Sequence, residues 1–131
     1  MTDRLIIAKS FVLADNGKIL VLRRSITDPR RPLTWDLPGG IVELDEDPDK
    51  AVAREIYEEA GLKTTTPKIF HVDSRTDKAF LVFLLYFLYT NDKDVSLSFE
   101  HDIYLWVSKD EFMKLNIPEL YKTAVEKLPH N

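Results

Sequence analysis

The chain contains no cysteine in 131 residues, so disulfides and thiolate metal sites are excluded. It also lacks any long hydrophobic run. The most apolar stretch, Ala79 to Tyr89, is too short to cross a bilayer as a helix and reads as a buried strand. There is no basic excess. Eighteen Lys and Arg face 22 Asp and Glu, a net charge of −4, which argues against a nucleic-acid binder. No internal repeat, low-complexity tract or linker interrupts the chain. The opening Met1-Thr2-Asp3-Arg4 carries an acid and leads into no signal-type apolar core. The expected location is therefore cytoplasmic, with no membrane association. What remains is 44% apolar and 31% charged, the balance of a globular chain, and residues 1–131 read as a single domain with a real core.

Leu5 to Ala14 is apolar enough for a strand. Asp15-Asn16-Gly17 signals a turn, and Lys18 to Leu22 follows, so a β-hairpin is expected. Ser25 to Leu33 is a loop with two prolines and two arginines, and Trp35 to Leu37 is a short strand before Pro38-Gly39-Gly40. Asp45-Glu46-Asp47-Pro48 opens a helix, with acids near the positive end of the dipole and proline in the first turn. Gly61 closes it as a C-terminal cap. Lys68–Arg75 and Ala79–Thr90 read as paired strands around Thr76-Asp77, the second covered on both faces. Ile103–Val107 is a further strand. Ser108-Lys109-Asp110-Glu111 is a capping box, and Pro118–Leu128 is a terminal helix with Leu120, Ala124 and Leu128 inward. This order predicts an α/β (α+β) fold with a central mixed sheet between helices.

The helix after Asp45 divides into two sectors at 100° per residue. Val52, Ala53, Ile56 and Ala60 face a core, whereas Glu55, Glu58 and Glu59 share another sector of about 100°. Carboxylates at i, i+3 and i+4 repel one another. A divalent cation relieves that cost, and hard oxygen donors suit Mg²⁺, with Mn²⁺ as the alternative. Arg54 stands four residues before Glu58 and can pair with it. Asp45, Asp47 and Asp49 imitate the opening of an EF-hand loop. Lys50 then occupies the glycine position, Ile56 the glutamate position and Pro48 interrupts the loop, so calcium binding there is rejected.

The segment Gly40 to Leu62 resembles the Nudix box, the signature of hydrolases that cut nucleoside diphosphates linked to another group. Gly40, Glu46, Arg54, Glu55, Ile56, Glu58, Glu59, Gly61 and Leu62 fill its specified positions. Asp45 stands where relatives often place glycine. The resemblance implies an α/β/α sandwich. It implies metal ligation by Glu55, Glu58 and Glu59 and by the Gly39 carbonyl, with Arg54 orienting the carboxylates and Glu46 supporting the loop. A further glutamate before a tryptophan-bearing strand is a family habit. Glu100, six residues before Trp106, fits it as general base or metal ligand, with Asp102 as substitute; a lone loop histidine such as His101 reads as inert.

Arg23, Arg24, Arg30 and Arg31 offer guanidinium forks for phosphate. Strand alternation sends Arg23 and Arg24 to opposite faces, and resemblance to MutT-type triphosphatases favours Arg24. Gly40 and Glu46 complete the expected substrate-binding set. Trp35, Phe70, Phe80 and Tyr86 could stack on a base, with core packing the commoner job for such residues. The resemblance implies a nucleotide substrate, a (deoxy)nucleoside triphosphate first. ADP-ribose and dinucleoside polyphosphate hydrolases are the alternatives, but Lys78 stands where the former carry proline, and Ala79 and Phe80 where the latter carry tyrosine. A non-catalytic nucleotide-sensing module is the rival from another class, and a homodimer is left open.

Overall fold

In the computed structural model, residues 4–76 and 78–129 are described. The first strand, β1 (Arg4–Leu13), is buried from Ala8 to Leu13 because it lies at the centre of the sheet. It runs parallel to β6 (Phe80–Tyr89) along its whole length, from Arg4 opposite Phe80 to Leu13 opposite Tyr89. Antiparallel neighbours extend the sheet. β5 (Lys68–Thr76) pairs with β6, and β2 (Ile19–Arg24) pairs with both β3 (Trp35–Asp36) and β7 (His101–Val107). β4 (Gly39–Ile41) pairs with β1. The strand order is β3-β2-β1-β6-β5, one mixed sheet.

Helix α1 (Pro48–Ala60) covers one face. Val52, Ile56 and Ala60 pack there with Ala8, Val12, Leu20, Leu22 and Leu88. The other face is closed by α2 (Lys109–Met113) and α3 (Glu119–Val125), whose Phe112, Leu120, Tyr121, Ala124 and Val125 meet Phe11, Val21, Leu37 and Leu85. The layered α/β/α arrangement expected from the sequence is the observed fold. The caps are also as read. The Asp47 side chain accepts from the Asp49 N–H, Gly61 takes a left-handed φ of 69°, and Ser108 and Glu111 form a reciprocal capping box.

Three expectations need correction. The β1–β2 hairpin is paired only at Leu13 and Ile19. Beyond that pair the two strands diverge, because each finds a longer partner, β6 for β1 and β7 for β2. The segment from Trp35 to Ile41 enters the opening, with β3 on β2, β4 on β1 and the Ser10 N–H donating to the Pro38 carbonyl at 3.0 Å. Second, a register shift falls between Arg23 and Arg24, so simple alternation does not fix where these two side chains go. Third, the terminal helix is shorter than residues 118–128, spanning Glu119–Val125. The expected turn at Thr76-Asp77 involves Asp77, which lies outside the described residues, as do Met1 to Asp3.

Candidate active site

The opening between β1 and β2 brings the Pro38-Gly39-Gly40 segment against the carboxylate-bearing side of α1. The Gly39 N–H donates to Glu59 Oε1 at 2.9 Å. Gly39 has φ +135°, and a Cβ there would fall 2.1 Å from the Ala8 carbonyl oxygen, so only glycine fits. A Cβ on Gly40 would lie 3.2 to 3.4 Å from the Glu55 carboxylate. The two glycines thus let backbone approach the glutamates.

The three glutamates of α1 sit in different surroundings. Glu59 is buried, and burial pushes its carboxyl up to about 8, against the pull of Lys9 and the Gly39 N–H. Glu55 is half-buried, and its carboxyl is raised by burial, opposed by Arg54 and reinforced by the charges of Glu58 and Glu100. Glu58 is exposed. The expected uniform acidic face is therefore graded from solvent to interior.

Arg54 organises the outer part. Its Nε donates to Glu46 Oε2 at 2.8 Å and Nη2 to Glu46 Oε1 at 3.1 Å, a two-pronged pairing. Its Nη1 reaches Glu55 Oε1 at 3.1 Å and Glu58 Oε2 at 3.1 Å. Glu46 also accepts from the Glu43 N–H, which folds the loop before α1. The guanidinium is held above its ordinary range, chiefly by Glu46. With Arg54 between them, the carboxylates are not closed into a cage. Among the described residues no three acidic or imidazole side chains gather as a preformed metal site. The donor chemistry nevertheless fits a hard divalent ion: carboxylate oxygens of Glu55, Glu58 and Glu59 on one helix side, approached by glycine backbone.

Glu100 sits in the exposed turn before β7, with its carbonyl accepting from the Ser25 N–H at 3.0 Å. Its charge is felt at Glu55, so the turn and the α1 face share one electrostatic neighbourhood. His101 is buried at the start of β7. Its Nδ1 has no hydrogen-bond partner and lies 3.8 Å from Glu59 Oε2. Burial lowers the imidazole to about 4, so the contact is not an ion pair at neutral pH. Asp102 pairs in two prongs with Arg23 at 2.9 Å and does not join the glutamates.

Arg24 is not free either. It donates to Asp28 at 2.9 Å and to Asp36 at 2.6 Å. Among the stacking candidates, Tyr86 is buried, Phe70 makes edge contacts with Phe11 and Phe87, and Trp35 packs on the core. Phe80 alone of the four is exposed.

Sequence reasoning missed Lys9 and Asp36. Lys9 is 8% exposed in mid-strand, and its Nζ donates to Asp36 Oδ2, the Leu37 carbonyl and the Gly39 carbonyl at 3.1 to 3.2 Å. The available signal was a lysine interrupting the apolar run Leu5 to Ala14, matched by an acid just before Pro38-Gly39.

Known proteins share this fold and sequence pattern. A 100-residue match to a MutT-like protein of Streptomyces ambofaciens is 32% identical and covers 76% of this chain and 61% of the relative. The nucleoside triphosphatase NudI of Salmonella arizonae is 31% identical over 62% of this chain and 66% of its own length. The chain thus spans roughly three-fifths to two-thirds of the length of these relatives. A crystal structure of a MutT protein from Methanosarcina mazei superimposes with a TM-score of 0.86 at 29% identity, covering 95% of this chain and 92% of that one. A model of the NUDIX domain matches residues 4–128, and on that match the chain belongs to the Nudix hydrolase family.

Proposed function

We propose that this protein is a divalent-cation-dependent pyrophosphohydrolase. It cleaves a phosphoanhydride of a nucleoside diphosphate linked to another group. The substrate favoured is a (deoxy)nucleoside triphosphate, giving a monophosphate and pyrophosphate. The observation that carries this reading is Arg54, which ties Glu46, Glu55 and Glu58 into one fixed group beside the Gly39-Gly40 backbone. The nucleoside triphosphatase among the relatives supports the choice of substrate class.

Bound at Glu55, Glu58 and Glu59, Mg²⁺ or Mn²⁺ would neutralise phosphate charge and orient water and leaving group. The chain's own residues do the rest. Arg54 holds Glu55 and Glu58 in place, and Glu46 holds Arg54. Glu100, on an exposed turn within electrostatic reach of Glu55, accepts the proton of the attacking water. The new P–O bond forms as the bond to pyrophosphate breaks.

The test is an incubation of the purified protein with Mg²⁺ or Mn²⁺ and a panel of nucleoside triphosphates, ADP-ribose and dinucleoside polyphosphates, with released pyrophosphate and monophosphate quantified. Turnover of triphosphates that stops with EDTA is expected. No turnover of any nucleotide or conjugate with either ion overturns the proposal in favour of a nucleotide-sensing module.

A further inference from the structure

The side chain of Lys9 is unusual for where it stands. It lies in the middle of the central strand, opposite Gly39 of β4 and Leu85 of β6, in a stretch otherwise apolar apart from Ser10. The side chain is 10% exposed, and its Nζ has three acceptors, Asp36 Oδ2 at 3.2 Å, the Leu37 carbonyl at 3.1 Å and the Gly39 carbonyl at 3.2 Å. An ammonium carries three protons, so this coordination leaves none spare. Asp36 is in turn held by Arg24, and Arg24 by Asp28. The result is an unbroken chain of charge-assisted bonds from the Asp28 loop to the Gly39 carbonyl, and the Gly39 N–H in turn donates to Glu59.

The Gly39 carbonyl is the oxygen that the family resemblance offers to a metal ion. In this chain it already accepts from a fixed cation. A divalent ion sharing that oxygen would stand within a few ångströms of the ammonium, in a place where little water screens the repulsion. Lys9 has nowhere else to go, because its other two acceptors hold it on the same side. Burying an ammonium is costly unless its protons are all used, and here they are.

We infer that the Lys9 ammonium is a resident cation that takes the place of a metal ion at the Gly39 carbonyl, confining metal binding to the carboxylates of α1. The inference rests on the reading of the α1 carboxylates as a cation site. It concerns only which oxygens the ion uses, so the turnover assay above stands or falls independently of it. Lys9 is a positioning residue: it fixes the Leu37–Gly39 turn and excludes a second cation from it.

The test is Mn²⁺ binding to the folded protein, by calorimetry and by electron paramagnetic resonance of free Mn²⁺, in the absence of nucleotide. Lys9→Gln keeps two donors for the carbonyls and removes the charge. It should gain a Mn²⁺ site, or bind the ion at least about tenfold more tightly than wild type. Lys9→Arg keeps the charge and should bind as wild type does. A merely structural lysine would change the unfolding midpoint in Lys9→Gln and leave Mn²⁺ binding per folded molecule as it was. That result overturns the inference. Should the variants not fold, a crystal of the wild-type protein soaked in Mn²⁺ decides. Mn²⁺ at Glu55 or Glu58 with the Gly39 carbonyl still on Lys9 supports the inference, whereas a Mn²⁺–O distance to Gly39 of about 2.1 to 2.4 Å ends it.

Discussion

The backbone N–H of Gly39 donates to Glu59 Oε1 at 2.9 Å, a bond from the sheet to the helix that bears the other carboxylates. Glu59 is 4% exposed, so it cannot exchange that donor for water. One end of the acidic triplet is thus part of the core, and the other end, Glu58, is at the surface.

Replacing Glu59 tests that division. Glu59→Gln keeps an acceptor for the Gly39 N–H and should leave stability within about 1 kcal/mol of wild type. Glu59→Leu strands a buried donor and should cost about 1–3 kcal/mol. Urea unfolding of the two variants measures the difference, and equal midpoints would show that the bond does not hold the turn.

The two adjacent glycines should fail in different ways. Gly39→Ala places a methyl 2.1 Å from the Ala8 carbonyl at a φ of +135°, so it should unfold the protein or cost more than about 3 kcal/mol. Gly40→Ala meets only the end of the Glu55 side chain, at 3.2 to 3.4 Å. It should melt near the wild-type temperature and bind Mn²⁺ more weakly, because Glu55 must swing aside. Thermal melts and Mn²⁺ titrations of both variants distinguish the two modes.

The helix α1 and its caps were legible because their signals are local: a first-turn proline, an apolar stripe and a terminal glycine. The pairing of β1 was not. A strand followed by Asp15-Asn16-Gly17 and another strand reads as a hairpin, and nothing local says that β1 prefers β6, whose Phe80 lies opposite Arg4 from far along the sequence. The acidic triplet was legible as a group, but its grading was not, since burial of Glu59 depends on where the Gly39 turn comes to rest. Arg24 illustrates the same limit. Its type suits phosphate, yet the structure gives it Asp28 and Asp36, and Asp36 is recruited across the sheet opening by Lys9 as well.

Asp28 gives the fold an acid-sensitive corner. The Arg31 N–H holds its carboxyl well below the usual carboxylate range, opposed by partial burial and helped by the Arg30 N–H and the Arg24 side chain. Because the folded value is depressed below the unfolded value of about 3.9, the contribution is fully present above that pH. It is lost as pH falls through the folded value. Wild type should therefore lose stability more steeply below pH 4 than Asp28→Asn. Urea midpoints at pH 5, 4 and 3 measure the two slopes, and parallel slopes would refute the assignment.

Asp45 adopts φ 66°, one of two non-glycine residues with positive φ among the described residues. This is the position where relatives often place glycine. Asp tolerates the left-handed region at some cost, and glycine enters it freely. Asp45→Gly should leave stability unchanged or raise it by up to about 1 kcal/mol, and Asp45→Val should lower it. Calorimetric melting of both variants checks the order, and a stabilising valine would contradict the left-handed conformation.

Arg54 and Glu58 separate activity from stability. Their contact at 3.1 Å is largely in solvent, where such pairs add about 0–1 kcal/mol, so neither Arg54→Lys nor Glu58→Gln should shift unfolding much. The same groups have a different weight in the proposed reaction. Lysine cannot reproduce the fork on Glu46 while also reaching Glu55 and Glu58, and glutamine offers the cation one oxygen and no charge. Each substitution should cut kcat roughly ten- to a hundredfold, as loss of a ligand or of its orienting partner does elsewhere. Mn²⁺ affinity should fall more in Glu58→Gln, which removes a donor, than in Arg54→Lys, which only loosens two. If Glu58→Gln turned over nucleotide at the wild-type rate, the exposed end of the acidic triplet would have no part in the reaction, and the ion would have to be sought at Glu55 and Glu100 instead.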